Sequence, residues 1–264
     1  MVDKSEKFRW LVRLGYAARG MVYVLIGYLA LSAPGDDTGP EGAFNYLQNV
    51  PLGAPLLYLA ALGLLGYALY RFCSLLFDVE NYGADSKGIV HRIGHAASGI
   101  AHLVLAYAAF QFAQGNQQAG SGAGAEEAAG TVLSVSFGSL VVGLIGLGFI
   151  VAAMMQAKSA ITRGFMRNLS SRAPHFVEYL GRAGLAARSV VFAIIGWALV
   201  RSAWFDSSAQ VKTLGEAISS LAGNGTLYTL VAAGLLLFGL FGLLLSRYLI
   251  VPDLDRSDLR PTFH

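Results

Sequence analysis

The sequence predicts an all-α integral membrane fold with six transmembrane helices, and three observations predict it: sparse charge, long uncharged runs, and a two-helix unit that recurs three times. Only 13% of the 264 residues are charged and 55% are hydrophobic. With a mean hydropathy of +0.55, that balance suits lipid rather than water. Uncharged stretches run from Glu41 to Arg71, Arg92 to Glu126, Glu127 to Lys158 and Glu216 to Arg247. Each exceeds the roughly 20 residues a helix needs to cross the hydrocarbon core. Two shorter candidates, Leu14 to Ala33 and Ala183 to Val200, each carry one arginine, Arg19 or Arg188. Spans are therefore expected near 11–33, 53–77, 93–114, 132–157, 183–204 and 226–250. A helix satisfies its own backbone hydrogen bonds in lipid and an open strand does not, so the spans are read as helices. The 32 glycines fit, because small residues let neighbouring helices approach closely.

The repeat is visible inside the chain itself. The stretch RLGYAARGMVYVLIGYLAL from Arg13 returns as RIGHAASGIAHLVLAYAAF from Arg92 and as RAGLAARSVVFAIIGWALV from Arg182. Arg13, Arg92 and Arg182 correspond, as do Gly15, Gly94 and Gly184, and Tyr28, Tyr107 and Trp197 close the pattern. The second helix of each unit repeats more weakly, after lead-ins at Glu41, Glu126 and Gly215 that read as short turns along the opposite surface. The units are expected at 9–78, 88–158 and 178–251, with a basic interfacial loop at 158–177 and a tail at 252–264. Because each unit holds two spans, successive units enter the membrane in the same direction, which predicts parallel repeats about a pseudo-threefold axis along the membrane normal. The internal copies also identify the first span as a retained helix rather than a cleaved signal.

Charge distribution orients the bundle. Lys and Arg gather at the N-terminus, between spans two and three, between spans four and five, and at the C-terminus, while only Arg201 and Lys212 fall on the other side. The positive-inside rule then places both termini in the cytoplasm, and Asp36, Asp37, Glu41, Glu126 and Glu127 lie on the opposite face. The net charge of +3 is thus spent on topology and no nucleic-acid partner is expected. Cys73 is the only cysteine, so neither an internal disulfide nor a cysteine cage for metal is available.

On the arginine, glycine, Ala-Ala-Arg-Gly and Val-Tyr pattern in three copies, together with GADSKG from Gly83, the chain resembles the bacterial proteins grouped as "domain of unknown function 1206". That resemblance covers essentially the whole chain and implies residence in a bacterial inner (plasma) membrane without an assigned activity. Unit two departs from the pattern with Ser98 in place of the arginine, and unit three with Ser189 in place of the glycine.

A few polar positions stand out. Arg19 lies about six residues, roughly 9 Å, into its expected span, and Arg188 is its repeat equivalent. Either they snorkel to the head groups, or with Tyr16, Tyr23 and Ser98 they hold an anionic group such as a lipid phosphate or small anion, for which the guanidinium fork is suited. His91, His95, Ser98 and His102 recur at i, i+4, i+7 and i+11, a stripe about 60° wide at about 100° per residue that is expected to face protein or a cavity. His95 and His102 lie about 10 Å apart along the helix axis, too far to share a metal. His91 with His95 lacks a neighbouring acidic or cysteine ligand in sequence, so no metal or other cofactor is expected. Ser98 and His102 form a one-turn pair without an evident oxyanion site, and no Asp or Glu falls inside an expected span. An enzyme is therefore not expected. Arg163, Arg167 and Arg172, mixed with Ile161, Phe165, Met166 and Leu169, fit either an interfacial helix on anionic lipid or a solvated basic loop. Asp85 and Lys87 read as a cytoplasmic charge pair. The leading expectation is a non-enzymatic bundle that binds lipid or a partner; the alternative is a small-solute or anion channel or transporter with its cavity on the axis.

Overall fold

A computed structural model describes residues 4–32, 38–78, 83, 85–116 and 122–250. Among them run helices α1 (Lys4–Ser32), α2 (Pro40–Gln48), α3 (Gly53–Phe77), α4 (Ser86–Ala113), α5 (Gly122–Leu133), α6 (Gly138–Thr162), α7 (Phe176–Phe205), α8 (Leu214–Ser219) and α9 (Gly225–Tyr248). Six of these, α1, α3, α4, α6, α7 and α9, are long and apolar enough to cross a membrane. The chain is an all-helical, multi-pass membrane protein. Each unit reads long helix, short helix, long helix, the short ones being α2, α5 and α8.

The fourth span lies at Gly138–Thr162 rather than 132–157. α5 claims Val132 and Leu133, and Phe137 then adopts a left-handed conformation with φ 70° that ends one helix and starts the next. Leu52 makes the same left-handed turn before α3. In both turns the following glycine is required, since a Cβ on Gly53 or Gly138 would overlap the carbonyl of Leu47 or Val132.

Six helices pack in a broken ring. The broad interfaces join the second long helix of one unit to the first long helix of the next: α3 on α4, α6 on α7, and α9 back on α1. Those three joints are related by the threefold repeat. Each contains a ring pair built from repeat-equivalent positions on the first helix: Tyr23 on Phe238 at 4.8 Å, His102 on Tyr67 at 4.4 Å and Phe192 on Phe149 at 5.2 Å. Within units, α1 packs on α3 and α7 on α9, but α4 and α6 share no comparable interface. Unit two is therefore the open seam of the ring.

Sequence explains the seam. In unit one Gly15 lies against the backbone of Tyr67, where a Cβ would come 2.7 Å from its nitrogen, and in unit three Gly184 lies equally close to Phe238. Tyr67 and Ala152 stand at the same distance from the glycines that open α3 and α6, and Phe238 is one residue out of step in α9. Unit two thus presents Ala152 where its neighbours present an aromatic, and Ser98 where they present an arginine that stacks on it. An aromatic buries about 150–250 Å², and with that contact absent nothing draws α4 onto α6.

The basic residues that open repeats two and three tie helix ends together. Arg92 reaches Asp78, the C-cap of α3, at 3.7 Å, and Arg182 donates to the Ala160 carbonyl near the end of α6 at 3.1 Å while pairing with Glu178 at 3.8 Å. Asp85 caps α4 by accepting from the Gly88 amide at 2.9 Å; the Lys87 side chain expected to pair with it lies outside the described residues, as does the tail at 252–264. Between α6 and α7 there is no continuous interfacial helix. α6 runs on to Thr162, a 3-10 turn covers Gly164–Asn168, and Leu169 forms a bridge with Leu249. Its apolar residues point inward, Phe165 onto Phe241 at 5.1 Å and Leu169 into the core, so that the segment clamps the end of α9. Arg163, Arg167 and Arg172 are left exposed, Arg163 pairing with Glu178 at 3.0 Å.

On the opposite surface Thr38, two residues before α2, meets α8. Thr38 Oγ1 lies 3.3 Å from Ser219 Oγ and donates to the Gly215 carbonyl at 3.4 Å, and Tyr228 donates to the Ala30 carbonyl at 2.8 Å. Burial raises the Glu41 carboxyl above its ordinary value of 4.5; the α2 amide it accepts from works against this, and the charge of Glu216 adds to it. With a folded pKa above the unfolded one, the folded chain binds the extra proton in the window just above 4.5, so this corner loses stability as pH rises through that window. Glu41→Gln is expected to flatten that part of the stability profile, measured by thermal unfolding in detergent across pH 4 to 7. An unchanged slope would exclude Glu41 as its source.

Candidate functional site

Inside the ring, side chains from all six long helices meet. Arg19 sits eleven residues past Phe8 and thirteen short of Ser32 on the first span, about 16 Å and about 20 Å from its two ends. The helix begins before the expected span, so the arginine lies near the middle of the helix, six residues past Arg13. It is 7% exposed. Its partners are neutral: Nη1 donates to the Tyr67 hydroxyl at 2.8 Å, and its Cζ stands over the rings of Phe238, Tyr67 and Tyr23 at 4.7, 5.1 and 5.8 Å. Arg19 Nε is buried with no hydrogen-bond partner.

Arg188 approaches the same aromatic pair from α7. Its Nε donates to the Tyr23 hydroxyl at 3.1 Å, its Nη1 to Gln156 Oε1 at 3.0 Å, and its Cζ lies over Phe192, Phe238 and Tyr23 at 4.3, 5.1 and 5.7 Å. Each of the two arginines lies within the other's electrostatic reach. Among the described residues no carboxylate pairs with either; Arg92 pairs instead with Asp78, and Glu178 with Arg163 and Arg182. Cation–π contacts with rings of this kind are worth about 0.5–2 kcal/mol each, which offsets part of the cost of dehydrating two guanidiniums. It does not neutralise them.

Tyr67 links a third cation to the pair. Its hydroxyl accepts from Arg19 Nη1 and also from Arg71 Nε and Nη2, at 2.9 and 2.6 Å. Three N–H donors converge on an oxygen with two lone pairs. Arg71 also donates to His95 Nδ1 at 3.0 Å and lies 3.5 Å from the Tyr16 hydroxyl. Because a guanidinium only donates, His95 Nδ1 is an acceptor here and the ring proton sits on Nε2.

The histidine stripe divides. His95 and His102 are buried against this cluster, whereas His91 and Ser98 are half-buried. His102 Nδ1 lies 2.7 Å from the Ser98 carbonyl, which only accepts, so Nδ1 donates. The bond is to the backbone and not to the Ser98 hydroxyl, so the serine–base pairing is absent from this arrangement. Among the described residues no three of His, Cys, Asp and Glu converge as metal ligands.

Of the residues singled out from sequence, Arg19, Arg188, Tyr16, Tyr23, His95 and His102 come together; Arg163, Arg167 and Arg172 remain on the surface. Tyr67, Arg71, Gln156 and Phe238 are additional members. Their signal lay in the weak second-helix repeat, where Arg71 and Gln156 fall at equal distance from Gly53 and Gly138. The chain is 30% identical over 259 residues to the "Uncharacterized protein YxxB" of Bacillus subtilis (strain 168), an alignment covering 93% of this chain and 94% of the relative. No solved structure matches it. The family described as Domain of Unknown Function (DUF1206) matches in three segments, residues 14–74, 93–163 and 183–248. These fall on the three two-helix units, and the chain belongs to that family.

Proposed function

We propose that this protein is a non-enzymatic, multi-pass membrane protein of the bacterial plasma membrane that holds an anionic group between Arg19 and Arg188. One observation carries the reading: two guanidiniums lie near the middle of membrane-spanning helices with neutral partners only. Burying a guanidinium with neutral partners only costs several kcal/mol, and an oxyanion accepting from both would offset this cost through charge-assisted hydrogen bonds. The basic rim favours cytoplasmic termini, with Arg163, Arg167 and Arg172 against anionic head groups.

Native mass spectrometry of the gently extracted protein tests it. A phosphate-containing lipid or oxyanion is expected to travel with the wild type and to be lost from Arg19→Gln with Arg188→Gln. Undiminished retention in the double variant would exclude the site. The mid-helix depth also favours a second reading, transport of a small oxyanion, since carrier sites commonly lie near the bilayer midplane. Phosphate or sulfate flux into proteoliposomes above that of empty vesicles, abolished in the double variant, would establish transport; flux equal to empty vesicles would remove it.

A further inference from the structure

Unit two carries the same small residues that close its two neighbours, but here they face open space. In unit one Ala18 packs into Gly63, and in unit three Ala187 packs into Gly234, with a Cβ on either glycine overlapping the alanine. The equivalents in unit two are Ala97 on α4 and Gly148 on α6. Ala97 is exposed, and a Cβ on Gly148 or on Gly94 would meet nothing within 4 Å, whereas the matching Gly15 and Gly184 are pressed against backbone. The chain therefore displays the closed form of this interface twice and the open form once.

We infer that the α4–α6 seam is the lateral entrance by which a phosphate-bearing lipid reaches Arg19 and Arg188, and that the seam closes over it by packing Ala97 into Gly148. The ligand half of this statement rests on the anion-binding reading; the closure half does not. Three features point to the bilayer as the source. Leu144, Ile145 and Val151 on the Gly148 face of α6 and Val104 on the Ala97 face of α4 are exposed, so in a membrane the opening faces hydrocarbon, where an amphiphile arrives and a free ion does not. Gln156, which stands on α6 and accepts from Arg188, connects the α6 side of the seam to the site. Ser98, at the third position of the Arg19 and Arg188 set, leaves the unit-two side without a guanidinium and hence without the cation–π contact that fixes the other two.

Closure is coupled to occupancy through Gln156 on α6, whose partner Arg188 also holds the ligand. α4 and α6 lack the aromatic that joins their counterparts, Ala152 standing in its place; a phosphate seated between the arginines and Gln156 gives α6 a partner inside the ring, and the seam apposes as in units one and three. Small-residue packing of this kind needs no hydrophobic driving force between helices, only close backbone approach.

The test uses the full chain with Cys73→Ser, Ala101→Cys and Ile145→Cys in proteoliposomes, following disulfide formation under mild oxidant; the equivalent positions, Val22 with Ala60 and Val191 with Val231, are buried in the closed units, and the Ala97–Gly148 contact stays free to form. Vesicles of phosphatidylcholine with phosphatidic acid are expected to speed cross-linking on the order of tenfold over pure phosphatidylcholine, within the usual range of coupling between sites. The acceleration is expected to vanish in the same protein with Arg19→Gln and Arg188→Gln. Absence of cross-linking in every vesicle would overturn closure. Equal acceleration by inorganic phosphate added to pure phosphatidylcholine vesicles would overturn lateral entry. Acceleration that persists without the two arginines would leave closure standing and overturn the anion site, so the two failures are distinguishable.

Discussion

Gly239→Ala is expected to leave little folded protein, while Gly94→Ala is expected to be near neutral, although both exchange a glycine for alanine inside a membrane helix. A Cβ on Gly239 would overlap the Val24 backbone and come 2.7 Å from the Gly20 carbonyl, at the joint that closes unit three onto unit one. Backbone cannot move aside as a side chain does, so α1 and α9 must separate. Overpacking of this kind costs about 1–3 kcal/mol, occasionally more, and here it also draws Phe238 away from Arg19 and Tyr23. Gly15→Ala and Gly184→Ala are expected to follow at smaller cost, since each meets one neighbouring residue's backbone at 2.5 to 2.9 Å. Gly94 occupies the same repeat position as those two and meets nothing. Thermal unfolding in detergent, with size-exclusion profiles, checks the series. Should Gly94→Ala destabilise as much as Gly15→Ala, the open seam in unit two is wrong.

Much of this architecture was legible because lipid makes sequence speak loudly. An uncharged run longer than the hydrocarbon core has few alternatives to a spanning helix, and the copies beginning at Arg13, Arg92 and Arg182 fix how the spans group. Arg19 and Arg188 were visible for the same reason, as charges where charge is rare. Arg71 was not, because near the end of α3 it is indistinguishable in sequence from the basic residues that set topology; only the fold brings it to Tyr67. Gln156 was hidden by neutrality, and Tyr67 and Phe238 by being two aromatics among many. The sequence predicts span four too early because the uncharged run continues through Val132 and Leu133, and the left-handed turn at Phe137 leaves no hydropathy signal. The seam itself escaped notice for a subtler reason. Ser98 and Ala152 are unremarkable singly, and their joint consequence appears only when the repeats are laid on one another in three dimensions.

If Arg19 and Arg188 hold an oxyanion as proposed, replacing both by glutamine is expected to abolish stabilisation by phosphatidic acid, whatever it does to the baseline. For a ligand that binds only the folded chain, a hundredfold excess over Kd stabilises by about 2.7 kcal/mol, so phosphatidic acid added to the wild type in neutral detergent should raise its unfolding temperature in a saturable manner. Hydrogen bonds to charged groups contribute about 1.5–3 kcal/mol each, so either single variant is expected to weaken binding by about tenfold to a hundredfold, and the pair by more. Glutamine keeps an N–H to offer Tyr67 or Tyr23 but lacks the charge, which separates electrostatics from simple loss of a contact. Arginine to lysine at either position is expected to recover less than half of the lost binding energy, because an ammonium cannot reproduce the planar fork between the Tyr23 and Phe238 rings. A purely structural role predicts the reverse pattern. The baseline unfolding temperature would then fall with the lost cation–π contacts, and the increment produced by phosphatidic acid would be the same in every variant.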